Sequence, residues 1–205
     1  MRVLFILTST ARRGDRGRPT GFDRQAFAVC YYGLQVWGAE VVIASPAGGA
    51  APADPDGEET DVCARLRADA RARAELADTL TVEDVFASDF DAVVFPGGPG
   101  ALTDLKSHRR AAALAVQVVG RGAPVVMIGE GAATLLAMTD AAGRPWVAGR
   151  ALAALADPTL AAALASQGGL VTKERAVRDG LLITARDRGS AGAALEALRL
   201  SLAIV

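Results

Sequence analysis

A chain of 205 residues with 51% hydrophobic and 22% charged residues can fill an apolar core, which excludes a disordered protein and a small scaffold held by disulfides or metals. The formal net charge of −1 gives no surplus of cations for binding nucleic acid. No stretch approaches the roughly 20 apolar residues of a membrane helix, and no signal peptide is apparent. We therefore expect one domain over residues 1–205, in the cytoplasm and away from membranes.

The polar residue types give no sign of a nucleic-acid or metal site. The densest run of arginines, at residues 12–18, also contains an acid and glycines, which is typical of a solvated loop. Cys30 and Cys63 lack CxxC spacing and fit a reducing compartment. The single histidine, His108, has no partner at zinc-ligand spacing. We predict neither a metal site nor a nucleic-acid partner.

Short apolar runs alternate with longer segments of helical periodicity along the chain, which predicts an α/β fold with a mainly parallel sheet. The pattern predicts strands at residues 3–7, 40–45, 91–95, 124–128, 176–177 and 181–184. It predicts helices at residues 22–37, 60–80, 102–119, 132–138, 158–166 and 190–203.

Three turns are expected to meet at one edge of this sheet, because ligands of parallel sheets bind beyond the carboxyl ends of the strands. They lie at residues 20–23, 97–100 and 129–131. The last turn joins a strand directly to a helix, a geometry that presents nucleophiles in enzymes, but Gly129 has no side chain that can attack. Neither GxGxxG nor GxxxxGK[ST] occurs, so we predict no nucleotide and no other cofactor.

Four segments carry a resemblance to a known family, namely VLFILTS at 3–9, TGF at 20–22, VIASPAGG at 42–49 and DFDAVVFPGG at 89–98. In order and spacing they resemble the ThiJ/PfpI superfamily, with its class I glutamine amidotransferase-like fold. Within it, the chain is similar to the branch of heat-inducible chaperones and glyoxalase III-like enzymes. The resemblance implies a flavodoxin-like three-layer sandwich and a homodimer.

The resemblance also places the family's catalytic positions on this chain. The nucleophilic cysteine corresponds to Gly129, the following histidine to Glu130 and the assisting glutamate to Ala26, so all three are replaced. The family's Gly-Gly-His-Gly loop reads Gly-Gly-Pro-Gly at residues 97–100. Because thiol addition requires the thiolate itself, the cysteine mechanism of the family cannot operate here.

Two carboxylates are the candidate catalytic residues. Glu130 directly follows the turn, and it is either a helix N-terminal acid or a general acid or base in the old pocket. Asp23 lies one turn before Ala26, and it either caps the first helix or faces the same pocket. If both face the pocket, their repulsion and burial push their pKa values apart, as in many acid/base sites.

Substrate contacts are assigned to Gly98, Gly100 and Gly129 in the turns and to Ala26 and Cys30 on the first helix. Cys30 is either a displaced nucleophile or a small core residue. The resemblance implies that the backbone amides of Gly98 and Glu130 form a pair of donors for an oxyanion, since main-chain donors do not depend on side-chain identity.

Two functions from different classes remain open. The first is a cofactor-free acid/base enzyme of lyase, isomerase, hydratase or cyclase type, acting on a small carbonyl-containing metabolite, in specialised metabolism. The second is a non-catalytic pseudoenzyme, a dimeric protein that binds a small molecule or regulates. A chaperone-like holdase is a third, weaker interpretation that rests on the resemblance alone.

Overall fold

The computed structural model describes residues 1–14 and 17–203, and a mostly parallel β-sheet forms its centre. The strands in chain order are β1 (Arg2–Ile6), β2 (Arg12–Arg13), β3 (Arg18–Pro19), β4 (Glu40–Ser45), β5 (Leu80–Thr81), β6 (Ala92–Phe95), β7 (Val125–Ile128), β8 (Ala151–Leu152), β9 (Leu170–Val171), β10 (Ala176–Asp179) and β11 (Leu182–Ala185). The α-helices are α1 (Arg24–Val36), α2 (Asp61–Ala68), α3 (Ala70–Ala77), α4 (Arg109–Gly120), α5 (Pro158–Ser166) and α6 (Ala191–Ser201).

Seven strands form the main sheet in the order β10-β11-β7-β6-β1-β4-β5. Neighbouring strands run parallel except β10 and β11, which form an antiparallel pair at one edge. The strands β11, β7, β6 and β1 therefore lie side by side with their carboxyl ends at the same edge, where ligands of parallel sheets bind.

Apolar side chains cover both faces of the sheet. Along β1, Leu4 and Ile6 pack into one core together with residues of α4 and α5, because alternate side chains of a strand point to opposite faces. Val3 and Phe5 pack into a second core with residues of α1 and α6. The result is a three-layer α/β sandwich of flavodoxin-like type, which confirms the predicted fold class.

The helix predicted at residues 60–80 is two helices, α2 and α3, followed by the short strand β5. The break falls at Asp69, whose carboxylate accepts hydrogen bonds from the backbone N–H groups of Arg71 and Ala72 at 3.0 and 3.1 Å. An N-cap residue needs an extended backbone, so the first helix ends where the second is capped. The Tyr32 hydroxyl also donates to Asp69, at 3.0 Å, and ties the break to α1.

Two other helices differ from the prediction, one in its first residue and one in its helix type. The helix predicted at 102–119 begins at Arg109, because the imidazole of His108 caps α4 by accepting from the Ala111 N–H at 3.2 Å. His108 is thus a half-buried cap rather than a surface residue. The helix predicted at 132–138 is a 3-10 helix over Gly129–Ala137, so Glu130 lies in the first turn of a 3-10 helix.

The arginine-rich loop forms a small hairpin in which β2 pairs with β3. Residues 15 and 16 of that run lie outside the described residues. The part of the chain that the structure describes contains no helix with the length and apolar character of a membrane span.

Candidate functional site

The candidate site is a small cleft of about 120 Å³ at the carboxyl edge of the sheet. The elbow after β7, defined here as Gly129–Gly131, forms one side, and the loop that follows β11 forms another. The residues that line the cleft are Asp23, Gly129, Glu130, Ala156, Asp157, Arg186, Asp187 and Arg188. The cleft thus brings together both candidate catalytic carboxylates and Gly129.

Asp23 both caps a helix and faces the cleft, so the two interpretations of this residue hold together. Its Oδ1 atom accepts a hydrogen bond from the backbone N–H of Ala26 at 2.9 Å, which caps α1. Its Oδ2 atom lies 3.0 Å from Nε of Arg188 in an ion pair. The residue is only 5% exposed, and the guanidinium group compensates its charge.

Glu130 is half-buried at the elbow and has a perturbed acidity. Burial raises the pKa of its carboxyl group above the ordinary value, because a low-dielectric environment disfavours the charged form. The negative charge of Asp23 raises this pKa further. The backbone N–H groups of Glu130 and Gly98 and the charge of Arg188 lower it, but the net shift is upward.

The predicted oxyanion donors both act on the side chain of Glu130. The backbone N–H groups of Gly98 and Glu130 lower the pKa of its carboxyl group, because they favour the charged form. Gly98 itself lies outside the set of residues that line the cleft.

Gly129 has the conformation of a strained turn. Its φ of +52° lies in the left-handed region, which glycine adopts at little cost. A Cβ atom built at this position would be 3.8 Å from the nearest heavy atom, Cα of Asp187, so the cleft has room for a side chain there. The backbone at the elbow thus retains a geometry that can present a residue to the cleft.

The two other glycines serve the packing of the loops. Gly98 has a φ of +102°, and a Cβ atom there would collide with the backbone of Gly21 and Asp23. Gly100 is packed against Thr8, and its N–H donates to the carbonyl of Gly21 at 3.2 Å. Both glycines lie outside the set of residues that line the cleft, although the Gly98 amide acts on the Glu130 carboxyl group.

Ala26 and Cys30 lie in the hydrophobic core of the α1 face rather than in the cleft. Both are fully buried among apolar residues such as Phe5 and Phe27. Burial raises the pKa of the Cys30 thiol to about 12, so the thiolate is disfavoured at neutral pH. The arrangement favours the core interpretation of Cys30 over that of a displaced nucleophile.

The charged loop after β11 was missed by the analysis of the sequence. Arg186, Asp187 and Arg188 follow the last parallel strand and line the cleft. Three consecutive charged residues directly after a buried strand, at the edge where the other turns meet, are the signal that could have revealed them. Asp157 also lines the cleft, where its Oδ1 atom caps α5 by accepting from Thr159 and Leu160.

Asp54 is a further carboxylate that the sequence did not reveal, and it is 5% exposed. Its backbone N–H donates to the carbonyl of Phe22 at 2.9 Å, which fixes its loop next to Asp23. Burial raises the pKa of Asp54, and the charges of Asp56 and Asp23 raise it further. The N–H of Asp56 and the charge of Arg188 lower it, so Asp54 belongs to the same charged group as the cleft residues.

Within residues 1–14 and 17–203, no three His, Cys, Asp or Glu side chains are placed to hold one metal ion. The carboxylates near the cleft are engaged by a guanidinium group or by backbone N–H groups.

The chain has a three-layer α/β fold, with a glycine elbow and a glycine loop at one edge of the sheet. These features define a class of proteins, and the match to a family model agrees with that class. Residues 20–198 match the DJ-1/PfpI family, and the chain belongs to that family. The resemblance to the ThiJ/PfpI superfamily is thereby confirmed. No curated protein matches the sequence.

Solved structures support the fold over the length of the chain. Rapid Encystment Protein 24 KDa from Francisella tularensis has a TM-score of 0.91 at 20% identity, with 98% of each chain covered. Glyoxalase III from Candida albicans has a TM-score of 0.86 at 19% identity, with 98% of this chain and 96% of that chain covered. DJ-1beta from Drosophila melanogaster has a TM-score of 0.66 at 20% identity and coverages of 98% and 90%. At identities of 19–20%, this structural likeness establishes a common fold and nothing beyond it.

Proposed function

We propose that this DJ-1/PfpI protein is a cofactor-free acid/base enzyme that acts on a small carbonyl-containing metabolite, with Glu130 as the general acid or base. The observation that carries the proposal is that Glu130 and Asp23 line one cleft, and that the backbone N–H groups of Gly98 and Glu130 act on the Glu130 carboxyl group. A carboxyl group with a raised pKa is a stronger base when ionised, and it keeps its proton to a higher pH.

The dimensions of the cleft support a small substrate. Its volume of about 120 Å³ equals the liquid volume of about four water molecules. A compound of three to five carbon atoms suits this space. Dicarbonyls, hydroxyketones and oxo acids of that size all carry a carbonyl oxygen for the amide donors and an acidic C–H group beside it.

The chemistry assigns a different task to each group. Ionised Glu130 takes a proton from the carbon next to the carbonyl group, and the electron pair of that C–H bond moves onto the carbonyl oxygen. The amides of Gly98 and Glu130 then stabilise the enolate oxygen. Protonated Glu130 returns the proton at another atom. Asp23 assists by orienting Arg188 at the wall of the cleft.

The alternative is a non-catalytic protein that binds a small molecule or regulates. The observation that favours it is that the same backbone N–H groups act on the Glu130 carboxyl group and favour its charged form, as they would favour a reacting oxygen. In this alternative Glu130 is a structural plug, and its neutralisation leaves the biological function intact. In both cases we propose a cytoplasmic homodimer, following the resemblance.

Turnover by wild type and Glu130→Gln distinguishes the two functions. Native mass spectrometry and ligand-detected NMR first select binders among dicarbonyls, enolisable ketones and lysate extracts. Conversion of each binder is then followed for wild type, Glu130→Gln and the control Glu174→Gln, which removes an exposed carboxylate outside the cleft. The enzyme proposal expects folded Glu130→Gln to lose at least about 100-fold in kcat.

Two results support the binding protein instead. One is binding without any conversion, and the other is conversion by Glu130→Gln at the rate of wild type. A loss in Glu174→Gln equal to that in Glu130→Gln assigns the effect to overall charge rather than to the cleft.

A further inference from the structure

Two guanidinium groups line the cleft together with four carboxylates. They belong to Arg186 and Arg188, and Arg175 lies beside them. Arg188 is paired with Asp23 at 3.0 Å. Arg175 and Arg186 share a single carboxylate, that of Asp187, at 3.9 and 3.4 Å. Arg186 therefore has only part of one carboxylate as its ion-pair partner.

The backbone holds Arg186 in place. Its N–H donates to the carbonyl of Arg175 at 2.7 Å, and its carbonyl accepts from the N–H of Ala156 at 3.2 Å. Its side chain is 45% exposed. Among residues 1–14 and 17–203 it has a single ion pair, which joins its Nε atom to Asp187. The terminal nitrogens of its guanidinium group thus remain available to an anion in the cleft.

Arg188 is positioned by Asp23. Its Nε atom lies 3.0 Å from Oδ2 of Asp23. A planar guanidinium group positioned by an ion pair is suited to recognise a carboxylate.

The Glu130 side chain indicates which groups favour a carboxylate beside the cleft. The backbone N–H groups of Gly98 and Glu130 and the charge of Arg188 each lower the pKa of its carboxyl group and so favour the charged form, while burial raises this pKa. Asp157, the remaining acid at the wall, has its Oδ1 atom turned to the helix it caps.

We propose that the ligand is a small oxo acid whose carboxylate is bound at the mouth of the cleft by Arg186 and Arg188, while its carbonyl group faces Glu130. The inference names the substrate class of the proposed function and rests on that function for the reactive carbonyl. Binding of the carboxylate is a separate property that a direct binding measurement detects without turnover.

Matched pairs of ligands test the proposal. Pyruvate and 2-oxobutanoate are compared with their neutral counterparts, hydroxyacetone and 1-hydroxybutan-2-one, by isothermal titration calorimetry and ligand-detected NMR. We expect wild type to bind each oxo acid at least about tenfold more tightly than its neutral counterpart, because a charge-assisted hydrogen bond is stronger than a neutral one. The preference falls as NaCl is raised, since salt screens the exposed guanidinium groups.

Two variants locate the preference. Arg186→Gln is expected to bind the acid and its neutral counterpart about equally. The control Arg178→Gln, which removes an exposed arginine on β10, keeps the preference of wild type. The salt dependence of wild type gives the same information without any substitution.

The outcomes separate this inference from the proposed function. Equal affinity of wild type for both members of each pair, failure of both oxo acids to bind, or an unchanged preference in Arg186→Gln overturns the oxo-acid proposal. Turnover of neutral carbonyl compounds that needs Glu130 but not Arg186 overturns it while the acid/base function stands. Oxo-acid binding through Arg186 without any turnover leaves this inference in place and removes the proposed function.

Discussion

At the level of single residues, the site combines carboxyl groups in different electrostatic states. Asp23 is buried but paired with Arg188, whereas burial raises the pKa of Glu130 and of Asp54. Glu130 and Asp54 therefore keep a proton to a higher pH than exposed carboxyl groups do, which suits acid/base chemistry. The charge on Arg188 acts on both carboxyl groups with a raised pKa and links them.

Substitution of Asp54 gives a pH-dependent change in stability. Because burial raises its pKa in the folded state above that in the unfolded chain, the folded state favours the protonated form. Below the ordinary pKa of aspartate there is no penalty, and as the pH rises through the folded-state pKa the wild type loses stability. Asp54→Asn is expected to be more stable than wild type at pH 7 and equal to it near pH 3.5.

Urea unfolding of both proteins across this pH range measures the difference. The control is Asp56→Asn, which removes an exposed neighbouring carboxylate. A destabilised Asp54→Asn at pH 7 would show instead that the ionised carboxylate holds the charged cluster together.

At the level of secondary-structure elements, the start of α1 depends on Asp23. Asp23→Ala removes the cap of α1 and leaves Arg188 without its partner, so we expect a loss of about 2 kcal/mol in the free energy of unfolding. Asparagine caps helices well, and Asp23→Asn is therefore expected to lose about half as much. Denaturant unfolding measures both, and equal losses would contradict a capping role.

Alanine is expected to destabilise the protein more in the glycine loop at residues 97–100 than in the elbow. In Gly98→Ala, the new Cβ atom meets the backbone of Gly21 and Asp23 and the φ of +102° is unfavourable, so we expect a loss of about 3 kcal/mol or more. In Gly129→Ala, the nearest heavy atom is 3.8 Å away and the left-handed conformation alone costs about 1–2 kcal/mol. Thermal and urea unfolding compare the variants. A larger loss at Gly129 would mean that the elbow is more tightly packed than the glycine loop.

The order of the elements could be predicted from the sequence, but the internal ends of some helices could not. Charged residues at i, i+3 and i+4 separations indicated one helix at 60–80, because this spacing continues through Asp69. The break depends on a cap and on a tertiary hydrogen bond from Tyr32, which no local pattern contains. The start of α4 similarly depends on His108 acting as a cap, which is uncommon for that residue.

The candidate site could also be predicted only in part, because the order of the strands in the sheet brings some of its residues together. Asp23, Glu130 and the amide of Gly98 lie in turns that the sequence identifies, and the structure brings them together. Arg186 and Arg188 approach the cleft because β11 is placed next to β7, and this neighbourhood is a property of the sheet order. Cys30 was placed by helical spacing, which gives the face of a helix but not whether that face meets a cleft or the core.

At the level of the whole molecule, we predict a homodimer. Size-exclusion chromatography with light scattering is expected to give twice the chain mass of 21.0 kDa at micromolar concentration. The reason is the resemblance to a family whose members are usually dimeric. A mass of one chain at all concentrations would contradict the prediction, and the cleft would then be complete within one subunit.

The central claim is that Glu130 moves a proton at a carbon next to a carbonyl group. It is tested most directly by ¹H NMR of hydroxyacetone, dihydroxyacetone and pyruvate in D₂O, where exchange of C–H for deuterium reports proton abstraction whatever the final product. Wild type is expected to accelerate exchange of at least one compound over buffer, and Glu130→Gln to fall by at least about 100-fold. Exchange at the buffer rate with wild type, or equal acceleration by Glu130→Gln, would contradict the claim.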